Sequence, residues 1–212
     1  MQHHNTKLTD SLHEFREQLS TDPIWAELIA PNKNWKSDPV FPTYHLLSNK
    51  QKGVAGEHFV HGILEELGAK VMPPLNSDHD RIVNGHKVEI KFSLATSKGK
   101  KIQRNNFIMN HVAKVKDWDF LLFAGINPLS LNLEPNDLDY ERCQIYLQSK
   151  ADFLEYMEET PYSDSVFKYQ QSGKKGKNDD YICSGKGLLK WTELDSVKTL
   201  DEWLESTSNE TL

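Results

Sequence analysis

The stretch from Asp80 to Lys91, DRIVNGHKVEIK, constrains the fold more than any other. Asn84-Gly85 lies between two short runs of strand-forming residues. Such a dipeptide marks a tight hairpin, because both central residues of the favoured turn need positive φ. A two-residue turn fixes the register. Val83 then faces His86, Ile82 faces Lys87 and Arg81 faces Val88. If the pairing continues, Asp80 faces Glu89 and Asp78 faces Lys91. Side chains alternate between faces along a strand. Arg81, Val83, His86, Val88, Ile90 and Phe92 share one face, which reads as the core face. Asp78, Asp80, Ile82, Lys87, Glu89 and Lys91 share the other.

Two carboxylates directly opposite one another destabilise a sheet, and their Cβ atoms stand about 4.5–5.5 Å apart. That separation suits two acids gripping one hard cation, with Lys91 beside them. The hairpin alone leaves two readings open. One is a solvated face on which Lys87 and Lys91 soften the repulsion. The other is a metal site.

The helix predicted from about Lys50 to Leu67, ending at Gly68, bears on the choice. Its apolar stripe is Val60, Ile63, Leu64 and Leu67, and backwards it passes through Gly53, Gly56 and Glu57. The two glycines are expected to allow close approach to a sheet. Glu57 falls on the inward stripe, where an unpaired carboxylate is costly. It is either an ordinary acid of a helix N-terminal half or a third acid directed toward Asp80 and Glu89. His58 and His61 read as surface or packing residues, since a histidine metal site needs a cleaner cluster.

Around this centre, residues 6–20 and PIWAELIA read as helices, and Pro31, Pro39 and Pro42 with Trp35 and Phe41 as an ordered arm. AKVMPP reads as a short strand, residues 95–105 as a basic loop, and FIMNHVAKVKDW as a strand turning into a short helix. DFLLFAGI is a continuous apolar run, typical of a central buried strand. RCQIYLQSK reads as a strand, ADFLEYMEE as a helix, YICSG as a short strand and LDEWLES as a final helix. The domain boundaries expected are a helical arm over 1–49, a core over 50–160 and a C-terminal extension of the same domain over 161–212.

The formal net charge of −6 argues against a nucleic-acid partner, but its distribution reverses that. From Arg81 to Lys116 there are nine Lys/Arg and one acid, Glu89. Lys168 to Lys190 holds six Lys and two acids. A local basic stripe speaks to a partner where a global charge does not. No apolar run approaches the length of a membrane span. Cys143 and Cys183 lack framework spacing and read as buried thiols in a reducing compartment, so a cytoplasmic location is expected.

KGVAGEHFVHGILEELGAKV, Asp80, Glu89-Ile90-Lys91 and DFLLFAGI together resemble the PD-(D/E)XK nuclease superfamily. The resemblance covers about residues 50–130. It implies an α/β fold: a restriction-endonuclease-like core with a mixed central sheet flanked by helices, here with helical N-terminal and mixed C-terminal additions. It also implies Mg²⁺, with Mn²⁺ substituting, held by Asp80 and Glu89 with Glu57 as auxiliary acid. Lys91 would position or polarise the attacking water. His79 stands where the superfamily has proline, and Asp78 is a rival first acid. Lys98, Lys100, Lys101 and Arg104 are expected to track the phosphate backbone of double-stranded DNA, with Lys174, Lys175 and Lys177 as weaker candidates. The leading expectation is a homodimeric type II restriction endonuclease. A junction resolvase or repair nuclease and a catalytically silent DNA-binding module on the same fold are the alternatives.

Overall fold

A computed structural model describes residues 47–98, 101–102, 104–127, 143–171, 174–175 and 179–208. The expected N-terminal helices and proline-rich arm lie outside the described residues.

Helix α1 (Asn49–Glu66) starts at a reciprocal cap. The Ser48 hydroxyl accepts the Gln51 N–H, and the Gln51 side-chain oxygen accepts the Ser48 N–H. It ends where Gly68 takes φ +84°, which only glycine adopts without strain. Its inward residues Phe59, Val60, Ile63 and Leu64 are all buried. Gly56 sits against Phe92: a Cβ there would come within 2.4 Å of the Phe92 side chain. Gly53 has open space around it, so of the two glycines only Gly56 serves close approach.

The strands are β1 (Val71–Met72), β2 (Arg81–Val83), β3 (His86–Leu94), β4 (Ser97–Lys98), β5 (Lys101–Ile102), β6 (Ile108–Ala113), β7 (Phe120–Ile126), β8 (Cys143–Ser149), β9 (Lys168–Tyr169), β10 (Asp180–Ser184) and β11 (Val197–Thr199). The further helices are α2 (Lys150–Glu159), α3 (Lys186–Thr192) and α4 (Leu200–Ser208). The central sheet has the order β1-β2-β3-β7-β8-β11. It is mixed, since β3 and β7 run parallel while the other neighbours are antiparallel. This is the mixed α/β class expected, with helices flanking the sheet. Among the described residues no helix is long and apolar enough to cross a membrane.

The hairpin register is the expected one: Val83 pairs with His86, Ile82 with Lys87 and Arg81 with Val88. Asn84 and Gly85 take φ +50° and +89°, as the tight turn requires. The ladder ends at Arg81, so the continuation to Asp80–Glu89 and Asp78–Lys91 does not form as strand pairing.

The parallel β3–β7 pair needs a crossover, and the expected short helix does not supply it. FIMNHVAKVKDW forms β6 and then a turn. β6 pairs with β10, and β10 with β9, making a second sheet. Partners far along the chain decide the conformation of this segment, so local pattern misled. The basic loop over 95–105 contains a two-stranded pair, with Lys98 opposite Lys101. The strands β9 and β11 and helix α3 were not anticipated, being short.

Two apolar clusters sandwich the central sheet. Val83, Val88 and Ile90 pack with α1 and with Trp203 of α4. On the other side, Leu121 and Phe123 pack with Phe107, Met109 and Val112 of the crossover, and with Phe153, Tyr181 and Trp191.

Candidate functional site

Residues 88, 90 and 92 of β3 turn toward α1, so 89 and 91 turn toward the second sheet. Glu89 lies beside Leu121 of β7, and Lys91 beside Phe123. That face is covered, not solvated: Glu89 is only 1% exposed. A lone buried carboxylate would be untenable. Glu89 Oε1 lies 2.6 Å from Lys91 Nζ and 3.2 Å from Lys116 Nζ. Glu89 Oε2 is buried with no hydrogen-bond partner among the described residues.

Asp80 joins Glu89 from just beyond the end of β2. Its N–H donates to the Val88 carbonyl at 3.0 Å. Its Oδ2 accepts the Ile90 N–H at 2.7 Å, so the carboxylate takes over where the strand ladder stops. The Asp80 carboxyl is held above its ordinary value, first by burial and then by the charge of Glu89. The Ile90 N–H, Lys91 and Lys116 pull the other way. Asp78 is tied into the preceding loop, its N–H donating to Asn76 Oδ1. Between the two, His79 is buried, accepting the Leu75 N–H at Nε2 while Nδ1 has no partner among the described residues.

Glu57 reaches the same neighbourhood from α1, through Arg81. Arg81 points to the helix side, with NH1 3.6 Å from Glu57 Oε2 and donating to the Asp80 carbonyl. Its Nε donates to His61 Nδ1, and His61 Nε2 lies 3.1 Å from Glu65. Glu57 is raised above the usual carboxylate range by burial first and by Asp80 next, while Arg81 opposes both. His58 is exposed. Among the described residues, no three His, Cys, Asp or Glu side chains form a group that could hold a metal ion. The structure therefore brings together Asp80, Glu89 and Lys91, adds Lys116, and leaves Glu57 paired with Arg81.

Two carboxylates and two ammoniums face one another here. The donor set fits a hard divalent cation in two respects. Oxygen ligands are what Mg²⁺ prefers, usually with only one or two carboxylates. The orphaned Glu89 Oε2 and the repelled Asp80 carboxyl are both relieved by added positive charge. Asp80 and Glu89 would hold the ion.

Lys116 was missed as a member of the site. It comes from the turn between β6 and β7, and its only sequence signal is its place at the end of the basic stripe. Of the expected phosphate contacts, Lys98 and Lys101 oppose one another in the β4–β5 pair and Arg104 is exposed in the turn that follows. Lys100 and Lys177 lie outside the described residues. Lys174 is exposed, and Lys175 lies 3.6 Å from Asp179, which Lys114 also approaches at 3.1 Å. A cavity of about 440 Å³ opens beside that turn, among Lys114, Leu154, Met157, Tyr162, Tyr169 and Tyr181. Neither acid of the pair lines it.

No protein-family model matches the chain, and no curated protein matches it. Among solved structures it is similar to a bacterial homing endonuclease, at 20% identity and a TM-score of 0.34, over 51% of this chain and 70% of that one. A similarity this shallow fixes neither family nor activity.

Proposed function

We propose that the chain is a divalent-metal-dependent DNA endonuclease of the PD-(D/E)XK type, acting as a dimer on double-stranded DNA in the manner of a type II restriction enzyme. The observation that carries this reading is Glu89. It is a buried carboxylate whose charge acts on Asp80, with one oxygen on Lys91 and the other without a hydrogen-bond partner among the described residues. A merely structural acid would be expected to have both oxygens satisfied.

Phosphodiester hydrolysis needs a water nucleophile, neutralised charge at phosphorus and a stabilised leaving oxygen. Mg²⁺ bound by Asp80 and Glu89 would supply Lewis acidity and a more acidic water. The protein's own groups do the rest. Asp80 is oriented by the Ile90 N–H on Oδ2, so its other oxygen has a set direction. Lys91 places a cation beside the acids, where it can orient water and offset charge developing on the phosphate. Glu57 is the auxiliary acid, held back by Arg81. Lys98, Lys100, Lys101 and Arg104 follow the catalytic strand and would contact backbone phosphates.

The test is digestion of plasmid and long linear DNA with Mg²⁺, alongside Glu89→Gln and Lys91→Ala. Discrete bands from wild type that both variants lose support a sequence-specific enzyme. Intact DNA across many sequences, branched substrates included, defeats it. A silent DNA-binding module is the second reading, favoured by the charge balance of two acids against Lys91 and Lys116. It requires that ion titration leave Asp80→Asn and wild type indistinguishable.

A further inference from the structure

The acid pair has a second ammonium that a simple carboxylate–lysine site does not need. Lys91 sits on β3 itself, 2.6 Å from Glu89 Oε1, with its side chain 16% exposed. Lys116 reaches the same oxygen from a different element, at 3.2 Å and 33% exposed. Its backbone is fixed: its N–H donates to the Ala113 carbonyl, and its own carbonyl accepts from Lys150 Nζ. The side chain is the part with freedom to move. It extends from a turn whose neighbour Val115 is among the most exposed apolar residues described. The other lysine of that turn, Lys114, is engaged by Asp179.

Charge arithmetic gives this arrangement a consequence. Asp80 and Glu89 are balanced by Lys91 and Lys116, and Glu57 by Arg81. A divalent ion entering the balanced pair meets two ammoniums and little net attraction. Its entry is favoured once one of them leaves. Lys116 has the longer contact and the greater exposure, so it is the one to leave.

We infer that Lys116 is a displaceable counter-ion. It holds the Glu89 carboxylate while the pair lacks a divalent ion, gives up that oxygen when the ion binds, and turns its ammonium to a phosphate of the DNA. Ion binding and DNA binding are thereby coupled through one side chain. The inference rests on the proposed nuclease reading and deepens it by naming how the site is kept closed without its substrate.

The test compares wild type, Lys116→Gln, Lys116→Arg and Asp80→Asn by calorimetric titration with Mg²⁺ and Mn²⁺. Lys116→Gln removes a competitor, so it should bind either ion about fivefold more tightly, the upper end of what an exposed ion pair contributes. Lys116→Arg keeps the charge and should stay near wild type. A second readout is the salt dependence of binding to a short DNA duplex. With Ca²⁺ present, the slope of log K against log salt should fall by about one in Lys116→Gln, reporting one lost phosphate contact. Without a divalent ion the two slopes should agree. Ion affinity unchanged in Lys116→Gln, with binding still abolished by Asp80→Asn, overturns the role of Lys116 and leaves the nuclease reading standing. No ion binding in wild type and Lys116→Gln alike, or binding that survives Asp80→Asn, overturns both.

Discussion

Glu89 and Gln148 lie in one row across the central sheet and face the same way. Glu89 pairs with Leu121, and Leu121 with Gln148. Both are 1% exposed. Both polar atoms of Gln148 have partners: its oxygen accepts from Trp191 Nε1 at 2.8 Å and its amide donates to Ser196 at 2.9 Å. Glu89 keeps an ionisable group at equal depth, gathers two ammoniums on one oxygen and has no hydrogen-bond partner for the other among the described residues. The row thus holds a buried polar group whose needs are closed and one whose needs are open. A closed network specifies a core, while an unsatisfied buried group is costly and calls for a physical reason.

Mutation can break that contrast. Glu89→Ala strands Lys91 and Lys116, and breaking a buried pair costs about 3–5 kcal/mol. The lysines are partly exposed, so about 3 kcal/mol is expected, read from urea denaturation. Glu89→Gln should keep the fold while lowering cleavage by more than the ~10–100-fold typical of groups that only orient metal ligands. Gln148→Leu should do the reverse. It leaves Trp191 Nε1 unpaired at about 1–3 kcal/mol, and cleavage per folded molecule should not change. If Gln148→Leu lost cleavage as Glu89→Gln does, the two ends of the row would not differ in kind.

The hairpin end of this row was legible, its continuation through Leu121 to Gln148 was not, and the limits are physical. The Asn84-Gly85 turn carries the register through Arg81, and period-two alternation then assigns the faces. The same alternation puts Arg81 on the α1 side, so the Arg81–Glu57 pair is within reach of the sequence. The end of the ladder at Arg81 was not legible, because it depends on Asp80 bonding the Ile90 N–H with its side chain. Lys116 was not legible either. It lies 27 positions from Glu89, and what joins them is the β6 crossover, whose strand conformation is set by β10. Local pattern carries little information about such pairings.

The other face of β3 sharpens the contrast, because it is governed by space rather than charge. Gly56→Ala would press a methyl to 2.4 Å from Phe92 Cβ, an atom on the backbone's doorstep that cannot swing aside. Overpacking costs about 1–3 kcal/mol, which outweighs the ~1 kcal/mol gained in helix propensity. Gly53→Ala has no neighbour to meet and should gain up to ~1 kcal/mol. Chemical denaturation of the two variants should therefore give shifts of opposite sign. Equal shifts would mean that α1 is free to slide on the sheet.

Cys183 supplies a third way of burying a polar group. It is fully buried on β10, on the same side of the sheet as Glu89 and Gln148. Burial is what pushes its thiol up to about 12. Where Glu89 has two lysines within 3.2 Å, Cys183 is surrounded by apolar neighbours and its neutral form is favoured. The sign of the pH effect follows. The folded value lies above the unfolded one of about 8.5, so the stability this thiol contributes is complete below that pH and is lost as pH rises toward 12. The loss is about 1.4 kcal/mol per pH unit. Tyr181 is also raised to about 12, by burial first, but its unfolded value near 10 delays its share. The interval between about pH 8.5 and 10 therefore isolates Cys183 from Tyr181. Urea titrations across that interval should slope downward in wild type and lose about one proton's worth of slope in Cys183→Ala. A slope identical in the two proteins would mean that Cys183 ionises as freely folded as unfolded, and that this side of the sheet is open to water.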